Sequence, residues 1–228
     1  MNAEQILLSA LAPTKNRVTD KFGMYREWGG NGWFPSSAYS PIHTGVDYSA
    51  LPEETVVSPI DGEVWGELVP GSVGSMTMIR SKVSKDFVFY LLHCNPTPAQ
   101  WDIAFRGNVI TKQAGHGIGA PHLHLELAIT EKLANTLKEG SFLEPLDWKE
   151  VMHARAEEAG LDPKEVHKRI MMNMRERGIL DIGKNYIKVR TVPMYRMSRY
   201  LDIGIVGETY FVDPTVFIQD GDTYGKEE

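Results

Sequence analysis

The segment Pro121-His122-Leu123-His124-Leu125-Glu126-Leu127 alternates strictly between polar and apolar positions, which predicts a β-strand. Period two places Leu123, Leu125 and Leu127 on one face, and His122, His124 and Glu126 on the other. The leucine face suits a core; the histidine face then looks into a cleft or solvent. From about Lys15 to Leu127 the rest of the chain has a related texture, with short apolar runs split by Gly, Pro, Ser and Asn. Arg17–Gly23 reads as a strand ending in a turn, and Met76–Arg80 and Phe87–His93 as further strands. Thr55–Ile60, the dipeptide Asp61-Gly62 and Glu63-Val64-Trp65 together predict a β-hairpin. Closely spaced strands with turn signals between them point to an antiparallel β-sandwich or barrel.

After about Ser141 the period changes. Asp147–Ala159 is rich in helix formers, with Gly160 as terminator. Asp162-Pro163-Lys164-Glu165 opens a second helix with an N-cap, proline at the first helical position and Glu at the third. Val166, Ile170, Met171 and Met174 form its apolar face, and Gly178 follows its end. Tyr186–Arg190 and Thr209–Val212 read as strands, and Asp220–Glu228 as a loose polar end. The fold class is therefore mainly β, with an antiparallel core over residues 1–148 and a C-terminal α+β extension over 149–228.

Composition narrows the function. The 228 residues carry 24 Lys+Arg against 30 Asp+Glu, a formal charge of −6. That balance opposes electrostatic nucleic-acid binding, which needs a basic surface to displace counterions, and opposes docking on anionic membranes. The single cysteine, Cys94, excludes an internal disulfide and a cysteine-based zinc site; it is read as a small buried filler. No apolar run reaches the length of a membrane span. The apolar stretch Ile6–Ala12 precedes the first basic residue, Lys15, the reverse of the order in a secretory leader. No signal peptide is expected, and this stretch is read as a helical turn packed on the domain.

Five of the seven histidines lie between His43 and His124. His122-Leu123-His124 sets two imidazoles on one strand face. In His43-Thr44-Gly45-Val46-Asp47, an extended backbone puts His43 and Asp47 on one face, and Gly45 removes the Cβ that would crowd an ion between them. Two His and one Asp give three protein ligands and leave a fourth position of a tetrahedral zinc for water, the stoichiometry of a catalytic site. Taken alone, either pair also fits a polar surface or a hydrogen-bonded turn.

Read together with Phe89–His93 and Gly117–Glu126, these segments resemble the lysostaphin-like zinc endopeptidases, which cleave peptide bonds of bacterial peptidoglycan. Val18–Gly23 resembles the family's first strand, Val56–Val64 its central hairpin and Leu143–Trp148 its closing segment, so the resemblance covers about Arg17 to Trp148. It implies a core of the duplicated-hybrid-motif type, with His43, Asp47 and His124 as Zn2+ ligands. It also implies His122 and His93 as the catalytic histidines, one the general base and the other an oxyanion stabiliser; the resemblance does not divide the two roles, and His122 is taken here as the base and His93 as the stabiliser. Period two puts His93 with Phe87, Phe89 and Leu91, on a core face, so its role rests on the resemblance alone.

The loop before His122, with His116 and Gly117, is shorter in its Gly/Ser/Thr run than the family pattern, and His116 is read as exposed. Trp28–Ser40 is a long approach to His43, either a groove wall or a surface loop. His153 and His167 fall on the C-terminal helices and are read as exposed or interfacial. The expected substrate is peptidoglycan peptide. The rival is a non-catalytic or structural module of the same fold, which the filled ligand positions disfavour. With no leader, the chain is expected to be a phage protein. It would be released at lysis or carried in the virion beside other virion proteins.

Overall fold

In a computed structural model of the chain, residues 1–23, 42–69, 74–95, 102–113, 121–158, 160–190 and 208–218 are described. The fold is mainly antiparallel β. The first element, helix α1 (Ala3–Leu7), is the turn expected from the N-terminal apolar stretch. Its Asn2 and Gln5 cap each other reciprocally, and Ile6 and Leu7 are buried.

The remaining elements are strands β1 (Val18–Asp20), β2 (Val46–Ser49), β3 (Thr55–Val57), β4 (Gly62–Val69), β5 (Gly74–Ser81), β6 (Phe87–Leu92), β7 (Asp102–Ala104), β8 (Val109–Lys112) and β9 (His122–Thr130). Helices α2 (Glu131–Glu139), α3 (Trp148–Glu158) and α4 (Pro163–Arg177) follow. Strands β10 (Ile179–Ile182), β11 (Tyr186–Val189) and β12 (Thr209–Val212) then lead to a short 3-10 turn at Pro214–Val216.

One ten-stranded sheet runs β10-β11-β12-β9-β6-β5-β4-β7. The nine-residue β9 is its centre. One edge of β9 pairs with β6 along Ile129–His124. The other edge is shared: β2 takes His122–Leu125 and β12 takes Leu127–Thr130. Strands of the C-terminal extension thus continue the same sheet as the N-terminal core. β1 adds to the outer side of β2.

The alternation read in β9 holds. Leu123, Leu125 and Leu127 are fully buried; across the ladder Leu91 lies opposite Leu125, Phe89 opposite Leu127 and Phe87 opposite Ile129. Each such side chain contributes about 1.5–3 kcal/mol by leaving water. The opposite face is not open, however. Tyr90 lies opposite Glu126 and Leu92 opposite His124, and Glu126 is fully buried.

The hairpin expected at Asp61-Gly62 does not form. β3 pairs with β8 in a separate two-stranded sheet, while β4 pairs with β5 and β7. The intervening residues bond elsewhere: Gly107 donates to the Ser58 carbonyl, Ser58 donates to that of Asn108, and the Asp61 carboxylate accepts from the Arg106 amide. Gly62 serves close approach instead, since a Cβ there would lie 2.6 Å from the Arg80 carbonyl oxygen.

Both C-terminal helices stand where the capping signals place them. Gly160 and Gly178 adopt left-handed φ of 68° and 67°, and Asp162 caps α4 through the Lys164 amide. Val166, Ile170 and Met174 are buried at four-residue spacing, but Met171 is exposed because it falls off that stripe. No helix among the described residues is long and apolar enough to cross a membrane.

Candidate metal centre

His124 comes from the centre of the sheet and Asp47 from the neighbouring strand, paired directly opposite it. Their side chains therefore emerge from one face, and His124 Nδ1 lies 2.7 Å from Asp47 Oδ1. His43 precedes β2 and is anchored by mutual backbone hydrogen bonds with Gly23. Its Nε2 reaches 3.0 Å from His124 Nδ1 and 3.3 Å from Asp47 Oδ1. Three donor atoms from residues up to 81 positions apart thus form a small triangle, and all three residues are buried. A tetrahedral zinc with bonds of ~2.0–2.2 Å requires neighbouring ligand atoms roughly 3.3–3.5 Å apart. The triangle needs only a slight opening to meet that spacing.

The outer hydrogen bonds set which nitrogen of each imidazole faces inward. His43 Nδ1 donates to the Lys21 carbonyl at 2.8 Å, which leaves the Nε2 lone pair for the centre. His124 Nε2 donates to Glu126 Oε1 at 3.1 Å, which leaves Nδ1. Thr44 donates to the same carboxylate oxygen at 2.6 Å. Glu126 is therefore a buried carboxylate behind the His124 imidazole, an arrangement that would orient that ring toward a metal. Its place on the histidine face was visible in the alternation; its role was not, because a buried acceptor and a solvated one look alike in sequence. Glu126→Gln keeps the shape and removes the charge. Zinc affinity is expected to fall about 10- to 100-fold, read by competition with a chromophoric chelator.

Gly45 plays a different part from the one expected. A Cβ there would meet the Leu125 carbonyl oxygen, and would lie 2.8 Å from His124 Nε2 and 2.9 Å from Glu126 Cγ. The glycine makes room for β9 and for the His124–Glu126 pair, not for the ion.

Burial pushes the Asp47 carboxyl up, but hydrogen bonds and charge from His124 and His43 outweigh it and hold the group well below the usual carboxylate range. Burial likewise pulls His124 down, yet the hydrogen bonds and charges of Asp47 and Glu126 prevail and raise it to about 9. A metal-free chain thus holds His124 as an imidazolium between two carboxylates. Because the folded value is raised, this contribution to stability is complete below the ordinary imidazole value of 6.5 and is lost as pH rises through about 9. Zinc must displace the same proton. Its affinity is expected to rise about tenfold per pH unit from pH 7 toward 9 and then to level, as measured by titration at fixed ionic strength.

His122 and His93 flank the triangle. His122 Nε2 lies 3.9 Å from Asp47 Oδ2. The His93 ring centroid is 4.7 Å from that of His122 and 6.3 Å from that of His124. The core-face reading of His93 is thereby corrected. β6 ends at Leu92, and His93 takes a left-handed φ of 66°, which breaks the alternation and brings its ring to the histidine face. Next to it, Cys94 is fully buried and burial pushes its thiol far up, in keeping with a filler.

His153 is exposed beside Glu157, and His167 stacks on Trp148 with centroids 5.6 Å apart, both remote from the triangle in sequence and on the C-terminal helices. His116, Gly117 and Trp28–Ser40 lie outside the described residues.

No protein-family model matches the chain, and no curated protein matches it. Among solved structures, the chain is similar to a zinc-containing peptidase from Vibrio cholerae at 21% identity and a TM-score of 0.42, over 53% of this chain and 35% of that one. The match thus spans about a third of the Vibrio structure's length. It is also similar to the catalytic domain of a prophage-encoded protein, EnpA, from Enterococcus faecalis (21% identity, TM-score 0.40, 51% of this chain and 85% of that one). A third similar structure is the antimicrobial peptidase lysostaphin from Staphylococcus simulans (16% identity, TM-score 0.44, 54% and 48%).

Proposed function

We propose that the chain is a zinc-dependent endopeptidase that hydrolyses peptide crosslinks of bacterial peptidoglycan. The observation that carries this reading is the convergence of His43 Nε2, Asp47 Oδ1 and His124 Nδ1, with the other nitrogen of each imidazole already engaged by the Lys21 carbonyl or the Glu126 carboxylate. Two neutral imidazoles and one carboxylate suit zinc, and three protein ligands suit a catalytic rather than a structural site. The ordered motifs that resemble lysostaphin-like enzymes supply the substrate class.

When bound, zinc supplies a Lewis acid and lowers the pKa of a coordinated water toward neutrality. The chain's own residues do the rest. His122 is the general base: its Nε2 lies 3.9 Å from Asp47 Oδ2, with its side chain 16% exposed and so open to solvent and substrate. It takes a proton from the attacking water and returns it to the leaving amine. His93, packed edge-on against His122, donates to the oxygen that gains charge as the amide carbonyl is attacked.

The test is digestion of purified cell walls by zinc-loaded protein, with mass spectrometry of the released fragments. New amino termini at crosslink positions, lost on chelation and regained with zinc, support the reading. Intact walls after zinc loading overturn it. The proposed placement in a phage particle is tested separately by mass spectrometry of purified virions; absence of the chain there removes that placement.

A further inference from the structure

We infer that Gln113 is a positioning residue that holds His93 against His122. This rests on the hydrolytic reading above. The register that pairs Leu92 with His124 would, continued by two more pairs, put His93 opposite Leu123 and Cys94 opposite His122. Those pairs are not made. Cys94 instead bridges to Gln113, while the Gln113 side-chain Nε2 donates to the His122 carbonyl. One residue therefore takes both halves of the interrupted ladder: its backbone draws Cys94 aside, and its amide replaces the missing partner of His122. His93 sits in the gap, with its left-handed backbone and its ring on the histidine face.

Gln113 is itself fixed. Its amide donates to the Glu54 carbonyl and its carbonyl accepts from Glu53, both at 2.8 Å. The side chain is fully buried, and its Oε1 has no hydrogen-bond partner among the described residues. A carbonyl only accepts, so the atom facing His122 is the amide nitrogen. An unpaired buried oxygen costs stability, and an apolar side chain of equal size would avoid that cost. The glutamine earns its place through its donor end.

The experiment is Gln113→Met, close in volume and lacking the donor, with Gln113→Glu as a second variant that keeps the shape and replaces the donor with a carboxylate oxygen. Four readouts are taken: zinc content, thermal midpoint, the His93–His122 ring contact by nuclear Overhauser effects, and kcat and KM on a crosslinked wall peptide. Both variants are expected to keep one zinc per chain, to lose the ring contact and to lower kcat about tenfold with KM within about twofold, a loss confined to interactions made in the transition state. Unchanged kcat with the ring contact intact overturns the inference, as does loss of zinc in parallel with activity. If the unsubstituted protein binds zinc but cleaves nothing, the functional reading fails, and the ring contact in the variants still decides the role of Gln113.

Discussion

His124→Ala is expected to strip the chain of zinc and of wall hydrolysis in one step. His124 is the hub of the triangle: Nδ1 faces Asp47 and His43, and Nε2 holds Glu126. Without it, two donors remain, too few for a catalytic zinc site. Zinc content should fall from one per chain to a small fraction, by elemental analysis after dialysis. The kcat/KM should drop by at least about 10^3-fold, on the order of 4 kcal/mol of lost transition-state stabilisation. The substitution also leaves Asp47 and Glu126 buried without their shared cation, a change that costs about 3–5 kcal/mol in comparable buried pairs. Asp47→Asn separates the two effects. It keeps the shape and a hydrogen bond but not the ligand charge, and should lose zinc with a smaller fall in thermal midpoint. Hydrolysis at the normal rate by either variant would show that the triangle is not the centre.

His122→Ala should give the opposite pattern: zinc retained, chemistry lost. Its ring stands outside the triangle, 3.9 Å from the Asp47 oxygen that is not the one shared with His43 and His124. Removing a general base costs about 10^2- to 10^4-fold in kcat. KM should move little, because the lost interaction forms only as the proton transfers. The paired measurement is zinc stoichiometry beside kcat on a defined crosslinked peptide. A variant that keeps its kcat would hand the base role to another group, with His93 the first to test. A variant that loses zinc would make His122 a ligand.

The two histidine variants differ by two positions in one strand, yet the structure gives them different outcomes. Both imidazoles lie on the same face by period two, and the alternation alone cannot rank them. The register does. Asp47 sits opposite His124, whereas Ser49 sits opposite His122. The Asp47 carboxylate is therefore beside one histidine and diagonal to the other.

The amino-acid pattern by itself determined the strand that carries the histidines and the capped helices of the C-terminal part, and it offered His43, Asp47, His122 and His124 as candidate donors without ranking the last two. These follow from local rules: side-chain alternation, the donor chemistry of imidazole and carboxylate, and cap residues that satisfy helix-end amides within a few positions. Tertiary structure alone decided the rest. Asp61-Gly62 carries a hairpin signal, but Ser58 and Asp61 find better partners in the segment from Arg106 to Asn108, so the flanking strands enter different sheets. His93 reads as a core residue until the ladder breaks after Leu92 and the backbone turns left-handed. Lys21 and Glu126 bond to His43 and Thr44, 22 and 82 positions away, while Gln113 reaches His122 over nine positions and Glu126 reaches His124 over two. Even the short-range bonds take their roles from burial by distant segments, which no short window of sequence contains.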